Sequence, residues 1–184
     1  IILAKNISNM VFIIVLSYLL NNIFYNVFFK NLILIDVLSI SFGFIFRLLS
    51  GIFSVGLIPT PWIMLCTFFL ALFLGFSKRR AELKNSNPES SSRLVLEKYK
   101  INFLDSLIND SAFGSIISYS LFCSINQQNI EIMTTIPIVY FAIMHYKNLL
   151  FQNIHGEEPE SIILKDKILL LSIFIWLCLF IIFK

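Results

Sequence analysis

The stretch PWIMLCTFFLALFLGFSKRRAEL, residues 61–83, determines the fold class. The 21 residues from Leu57 to Ser77 carry no charge. A bilayer core about 30 Å thick is crossed by roughly 20 apolar residues in a helix, so this run predicts a membrane-spanning helix. A charged cluster follows it without a break: Lys78, Arg79, Arg80 and Glu82. The position of this cluster, where the span ends, raises the question of what it binds.

The composition of the whole chain indicates an integral membrane protein. Of its 184 residues, 58% are hydrophobic and 14% are charged. Soluble domains are usually about 45–50% apolar and about 25% charged, so one soluble core would not bury this much apolar surface. The basic residues lie beside the predicted span and form no recognisable nucleic-acid-binding module, so a nucleic-acid partner is not expected.

Six apolar windows predict an all-α, polytopic bundle of six spans. Backbone groups in lipid must be satisfied within their own segment, so each window is expected to be a helix rather than a strand. Two polar stretches are expected to be loops on one face of the membrane, over residues 78–101 and 151–167. The six windows are approximately 10–28, 33–55, 61–77, 102–125, 132–150 and 168–183.

The distribution of lysine and arginine predicts the orientation. Six spans place 11 of the 14 cations on one face, counting Lys30, Lys147 and every cation from residue 78 to 100 together with the two at 165 and 167. Positively charged loops stay on the cytoplasmic side, so this face is expected to be cytoplasmic. Both ends of the chain then lie outside, and an odd number of further spans is expected upstream. The predicted localisation is a multi-pass protein of the cell (inner or plasma) membrane.

The second window carries a narrow polar stripe. At about 100° per residue, Asp36, Gly43, Arg47 and two serines fall within about 60° of arc. Asp36 and Arg47 are about 16 Å apart along the helix, too far to pair with each other. Charged groups inside a membrane need partners, so each is expected to contact another helix or a ligand. The stripe therefore indicates either close helix packing or the wall of a polar cavity.

The charged cluster at residues 78–82 suggests phosphate binding. Tyr25 and Lys30 are predicted at the same membrane face, before the second window. Lysine, bidentate arginine and a carboxylate together suit a phosphate or diphosphate with its metal ion. The simpler interpretation is an ordinary positively charged membrane anchor. No glycine-rich phosphate loop is present in the sequence, so side chains would bind the anion.

Segments from four parts of the chain carry a resemblance to a known family. They are YNVFFK and IDVLSISFGFIFRLLSG between residues 25 and 51, ALFLGFSKRRAEL at 71–83, SSRLVLEKY and FLD between 91 and 105, and GEEPESIILKDK at 156–167. Together they resemble the polyprenyl-phosphate (decaprenyl-phosphate) phosphoribosyltransferases, a branch of the UbiA prenyltransferase superfamily. The resemblance implies nine helices, of which residues 1–184 form the last six as a single membrane domain whose N-terminal helices are missing.

The resemblance also implies a reaction. A polyprenyl phosphate attacks 5-phosphoribosyl diphosphate, takes its 5-phosphoribose and releases diphosphate, with Mg²⁺ as the cofactor. In mycobacteria this reaction serves cell wall biosynthesis. Three residues are expected to be catalytic: Asp36, Arg47 and Lys78. Five are expected to bind substrate phosphates: Tyr25, Lys30, Lys78, Arg79 and Arg80. Metal contacts are expected from Asp36 and Glu82.

Two departures from the superfamily pattern leave alternatives open. The first aspartate-rich motif, NDxxDxxxD, is absent from these 184 residues, so this chain by itself is expected to be inactive. KRRAE stands where a second DxxxD motif would be. A prenyltransferase that acts on an aromatic acceptor is one alternative, which its substrate requirement would reveal. A transporter or structural subunit is another, although the sequence contains no internal repeat to support it.

Overall fold

The computed structural model describes residues 8–85, 96–125, 130–152 and 159–183, and within these ranges the regular structure is entirely helical. The seven α-helices are α1 (Asn9–Val27), α2 (Ile35–Ser54), α3 (Pro61–Asn85), α4 (Ile101–Ile125), α5 (Ile136–Gln152), α6 (Pro159–Lys165) and α7 (Lys167–Ile182). Short 3₁₀ turns occur at Phe29–Asn31, Leu96–Lys98 and Ile130–Thr135.

Six of these helices coincide with the six predicted windows, and the protein is an all-α membrane helix bundle. Among the described residues, α1, α2 and α3 (to Lys84) are long and apolar enough to cross a membrane, and α7 is a shorter apolar helix. Helix α5 has only 17 residues, and α4 contains several serines and two aspartates. The helix positions were therefore predicted correctly, while three helices satisfy the length and hydropathy expected of a complete span.

The boundaries of the two predicted loops were partly wrong. Helix α3 continues through the charged cluster to Asn85, since KRRAEL consists of good helix formers with no glycine or proline to end the helix. The second loop contains α6, which begins at Pro159, a residue favoured in the first turn of a helix. The first predicted loop contains the 3₁₀ turn Leu96–Lys98, and its residues 86–95 lie outside the described ranges.

Helices adjacent in the sequence pack against each other: α1 on α2, α2 on α3, α3 on α4 and α4 on α5, with α7 returning to α5. The main core lies among α2, α3, α4 and α5 and includes Val37, Phe73 and Leu104. A smaller cluster around Tyr119, Cys123 and Ile132 lies toward the other end of α4. Helix α2 approaches α3 closely at Gly75, which lies against Val37 and two residues before Ser77.

Replacement of Gly75 by alanine is expected to destabilise the bundle by about 1–3 kcal/mol, the usual cost of overpacking. A Cβ at position 75 would lie 2.5 Å from Cγ1 of Val37, which is fully buried. Gly51→Ala is the matched control, because a Cβ at that helical glycine meets nothing within 4 Å. Thermal unfolding in detergent should show a lower Tm for Gly75→Ala and an unchanged Tm for Gly51→Ala. Equal Tm values would contradict this packing.

Candidate functional site

A buried ion-pair network joins α2 to the charged end of α3. Arg79 donates through Nε to Oδ2 of Asp36 at 2.8 Å and through Nη1 to Oε2 of Glu82. The Asp36 side chain is fully buried, and that of Arg79 is 3% exposed. Asp36 lies in the first turn of α2, where the helix dipole favours a carboxylate. One guanidinium thus holds two carboxylates from different helices.

Tyr99 completes this network from the segment that precedes α4. Its hydroxyl donates to Oδ1 of Asp36 at 2.9 Å and accepts from the backbone N–H of Leu34 at 2.7 Å. Leu34 has φ +66°, a conformation that is strained for any residue with a side chain. Burial raises the pKa of Tyr99 well above its ordinary value, so the hydroxyl remains a donor at neutral pH. Both oxygens of Asp36 therefore have fixed partners.

Of the residues predicted to bind phosphate, Tyr25 contacts the ion-pair network, whereas Lys78 and Lys30 lie outside it. The Tyr25 hydroxyl lies 3.5 Å from Nη2 of Arg79, so Tyr25 joins the network. Lys78 is half-buried, and Lys30 is exposed in the 3₁₀ turn between α1 and α2. Within the described ranges neither lysine forms an ion pair, and these two cations are available to an anion.

Arg80 points into the helix bundle instead. It donates through Nε to Oδ1 of Asp105 on α4 and through Nη1 to the carbonyl of Leu150 on α5 at 3.2 Å. Its guanidinium carbon also lies 4.2 Å from the ring centroid of Phe151. These three contacts use the guanidinium as a tie between α3, α4 and α5. The predicted phosphate role of Arg80 is therefore at odds with the direction of its side chain.

Arg47 is separate from the network. Its Nη2 donates to the Tyr18 hydroxyl on α1 at 2.6 Å, and its guanidinium also stacks near the Phe44 ring. It is exposed on the face that α1 and α2 share. Asp36 and Arg47 thus find partners on other helices, as the sequence predicted, but the structure does not bring Arg47 to Asp36 and Lys78.

The two carboxylates expected to bind metal both contact Arg79. Across the parts of the chain that the structure describes, no group of three or more His, Cys, Asp or Glu side chains is placed to hold a metal ion. Mg²⁺ in transferases is commonly bound through one or two carboxylates together with substrate phosphates and water. As they are placed, Asp36 and Glu82 both pair with Arg79, and among the described residues they do not form such a site on their own.

An apolar cavity of about 510 Å³ lies between α3, α4, α5 and α7. Its wall runs along α3 from Ile63 to Leu74, and Trp176 of α7 also contributes to it. The buried hydroxyl of Tyr146 has no hydrogen-bond partner among the described residues, although it is near Ser77. Ser77 precedes Lys78, so the Tyr146 region of the cavity adjoins the charged cluster.

Two residues of the site were not singled out by the sequence interpretation. Tyr99 and Asp105 lie in the motifs EKY and FLD, but neither was given a role. Asp105 is a charged residue one turn inside an apolar helix, and such residues usually have a buried partner. Tyr99 ends the polar stretch that returns to the membrane face of Asp36. The sequence therefore indicates where both residues lie in the chain relative to the membrane, but only the structure shows which side chains they contact.

Comparison with known proteins finds relatives of the kind that the motifs suggested. No family model matches the chain. The chain is similar to curated decaprenyl-phosphate phosphoribosyltransferases from three organisms. It is 27% identical to that of Mycolicibacterium smegmatis, 26% to that of Corynebacterium glutamicum and 24% to that of Mycobacterium tuberculosis. The matches cover 80%, 80% and 90% of this chain and 50%, 46% and 55% of the respective relatives. The resemblance predicted from the sequence is confirmed. The chain spans about half the length of these relatives.

Proposed function

We propose that this protein contributes to a membrane phosphoribosyltransferase, which moves 5-phosphoribose from 5-phosphoribosyl diphosphate to a polyprenyl phosphate. In this reaction a phosphate oxygen of the lipid bonds to C1 of the ribose. The bond from C1 to the diphosphate oxygen breaks, and diphosphate leaves with the electron pair. The similarity to curated phosphoribosyltransferases carries the choice of reaction, and the charged cluster at the end of α3 agrees with it.

The charged residues have distinct parts in this proposal. Lys78 and Lys30 are cations without an ion-pair partner in the described ranges, so they attract the substrate phosphates. The two terminal nitrogens of Arg79 carry four N–H groups. One of those on Nη1 donates to Glu82, and the Tyr25 hydroxyl lies 3.5 Å from Nη2. The Arg79 side chain is 3% exposed, so in this proposal the diphosphate enters the network to reach these N–H groups, which then stabilise the negative charge that develops on it. Asp36 and Glu82 keep the guanidinium in one orientation.

The apolar cavity provides a place for part of the lipid chain. Its wall is almost wholly hydrocarbon, and the Tyr146 region adjoins Ser77 and therefore the cationic cluster. A lipid with its tail in this cavity would present its phosphate to Lys78. This arrangement gives Lys78 and Arg79 a role at the end of an apolar span, and the bilayer supplies the lipid directly.

Magnesium and a cytoplasmic site belong to the same proposal. Bound Mg²⁺ would neutralise negative charge on the leaving diphosphate. Asp36 would hold it only by giving up a contact with Arg79 or Tyr99, and Glu82 already accepts from Arg79, so the proposal takes further ligands from the donor or from residues outside the described ranges. The excess of cations near Lys78 supports a cytoplasmic site, where a soluble phosphorylated sugar is accessible.

Transfer is expected in membranes from cells that express the complete gene product. Membranes receive 5-phosphoribosyl diphosphate labelled at the 5-phosphate, with Mg²⁺ and a polyprenyl phosphate, and the lipid phase is counted. Lys78→Ala is expected to lower the rate at least 10-fold, because one charged contact to the phosphates is lost. Lys84→Ala, an exposed lysine on the same helix, is the control and should match the wild type.

EDTA is expected to remove the activity. Absence of label from the lipid phase, with the protein folded and Mg²⁺ present, would reject phosphoribosyl transfer. Turnover of a prenyl diphosphate with an aromatic acceptor would then identify the protein as an aromatic prenyltransferase. Solute movement across vesicles without either reaction would make it a transporter.

A further inference from the structure

We infer that Tyr99 is a positioning residue for Arg79, which it holds in place through Asp36. Tyr99 does not contact Arg79 directly and is not expected to touch the substrate. Its effect on the reaction rests on the proposed function, whereas its effect on the orientation of Arg79 does not. No motif of the sequence gave Tyr99 a role.

The hydroxyl of Tyr99 is the link between two constrained groups. It accepts the N–H of Leu34, whose positive φ sets the entry to α2, and donates to Oδ1 of Asp36. The other oxygen of Asp36 is left to accept Nε of Arg79. Loss of the hydroxyl would leave Leu34 N–H and one carboxylate oxygen unpaired in a buried region. The carboxylate would be free to rotate, and the guanidinium would lose its fixed direction.

The position of Tyr99 in the chain gives this link a second consequence. Tyr99 follows the 3₁₀ turn Leu96–Lys98, which packs on α3, and it precedes α4. The end of the connection between α3 and α4 is therefore fastened to the start of α2, directly beside the ion-pair network. The tyrosine ring is 4% exposed and belongs to the main core, so phenylalanine would keep its packing and remove only the hydroxyl.

Kinetics of Tyr99→Phe test the effect on turnover. With wild-type transfer established in the lipid-label assay, kcat should fall about 10- to 100-fold, since small misplacements of a catalytic group have effects of this size. KM for the polyprenyl phosphate should stay within about 2-fold, because the proposal assigns the lipid phosphate to Lys78 and not to this network. Tyr140→Phe removes an exposed tyrosine hydroxyl from α5 and should behave as the wild type.

A double-mutant cycle separates positioning from general destabilisation. In an Arg79→Lys background, Tyr99→Phe should change the residual rate less than 2-fold, because the group it positions is already absent. Independent, multiplicative losses of rate would overturn the inference. A wild-type kcat in Tyr99→Phe would overturn it as well, while leaving phosphoribosyl transfer intact.

An activity-independent measurement decides the case in which the wild type transfers no phosphoribose. In protein labelled with ¹⁵N-arginine, the Nε–H resonance of Arg79 is identified by its loss in Arg79→Lys. Its exchange with solvent should be at least 10-fold faster in Tyr99→Phe than in the wild type or Tyr140→Phe. Unchanged exchange would show that Tyr99 does not position Arg79, whatever reaction the protein catalyses.

Discussion

Replacement of Arg79 by alanine is expected to reduce phosphoribosyl transfer at least 100-fold and to lower the free energy of unfolding by about 3–5 kcal/mol. The two effects have different causes. The loss of stability arises because Asp36, which is fully buried, loses the counter-charge beside it. The loss of activity arises because no guanidinium faces the leaving diphosphate.

A double variant separates these causes. Asp36→Asn combined with Arg79→Ala removes both charges, so its Tm should recover toward the wild-type value while transfer remains absent. Thermal unfolding in detergent and the lipid-label assay are run on the same preparations. Full recovery of transfer in the double variant would show that Arg79 serves only to neutralise Asp36. A wild-type Tm in Arg79→Ala alone would contradict the buried ion pair.

Replacement of Arg80 by alanine is expected to lower the free energy of unfolding by about 3 kcal/mol and to leave the kinetics of the folded protein nearly unchanged. Arg80 is 3% exposed and ties α3 to Asp105 on α4 and to the Leu150 carbonyl on α5. Without it, the carbonyl loses this donor and Phe151 loses the nearer of the two cations over its ring, the other being Lys147. Lysine would not restore these contacts, since a point charge cannot reach all three.

The comparison between Arg80→Ala and Arg79→Ala therefore assigns adjacent arginines to different tasks. Tm and KM for 5-phosphoribosyl diphosphate are measured for both, with Lys84→Ala as the control. A lower Tm with KM within about 3-fold of the wild type is the expected result for Arg80→Ala. A raised KM with an unchanged Tm would restore the original prediction that Arg80 binds phosphate.

Much of the fold was predictable, since hydropathy is a local property of the sequence. Six apolar windows gave the positions of six helices, and every bound except the end of α3 lies within about four residues of its window. The end of α3 was predicted too early, at Ser77, because a change from apolar to charged residues marks the edge of a membrane and not the end of a helix. Helix α3 continues to Asn85 through residues that favour helix.

Some residues of the site were predictable from the sequence, but the contacts between them were not. Asp36, Tyr25, Arg79 and Glu82 were chosen from the sequence, and the structure brings them together. Adjacent positions on a helix point about 100° apart, so Arg79 and Arg80 face different neighbours even though they look equivalent in the sequence. Tyr99 reaches Asp36 across 63 residues, a contact that only the packing of α2, α3 and the start of α4 creates.

The most direct test of the central claim compares two labels on the same donor. Membranes with the complete gene product, Mg²⁺ and a polyprenyl phosphate receive 5-phosphoribosyl diphosphate that is labelled either at the 5-phosphate or in the diphosphate. The account predicts that the 5-phosphate label enters the lipid phase only when Arg79 is present, and that the diphosphate label stays in water. Diphosphate label in the lipid, or no label from either donor, would contradict phosphoribosyl transfer.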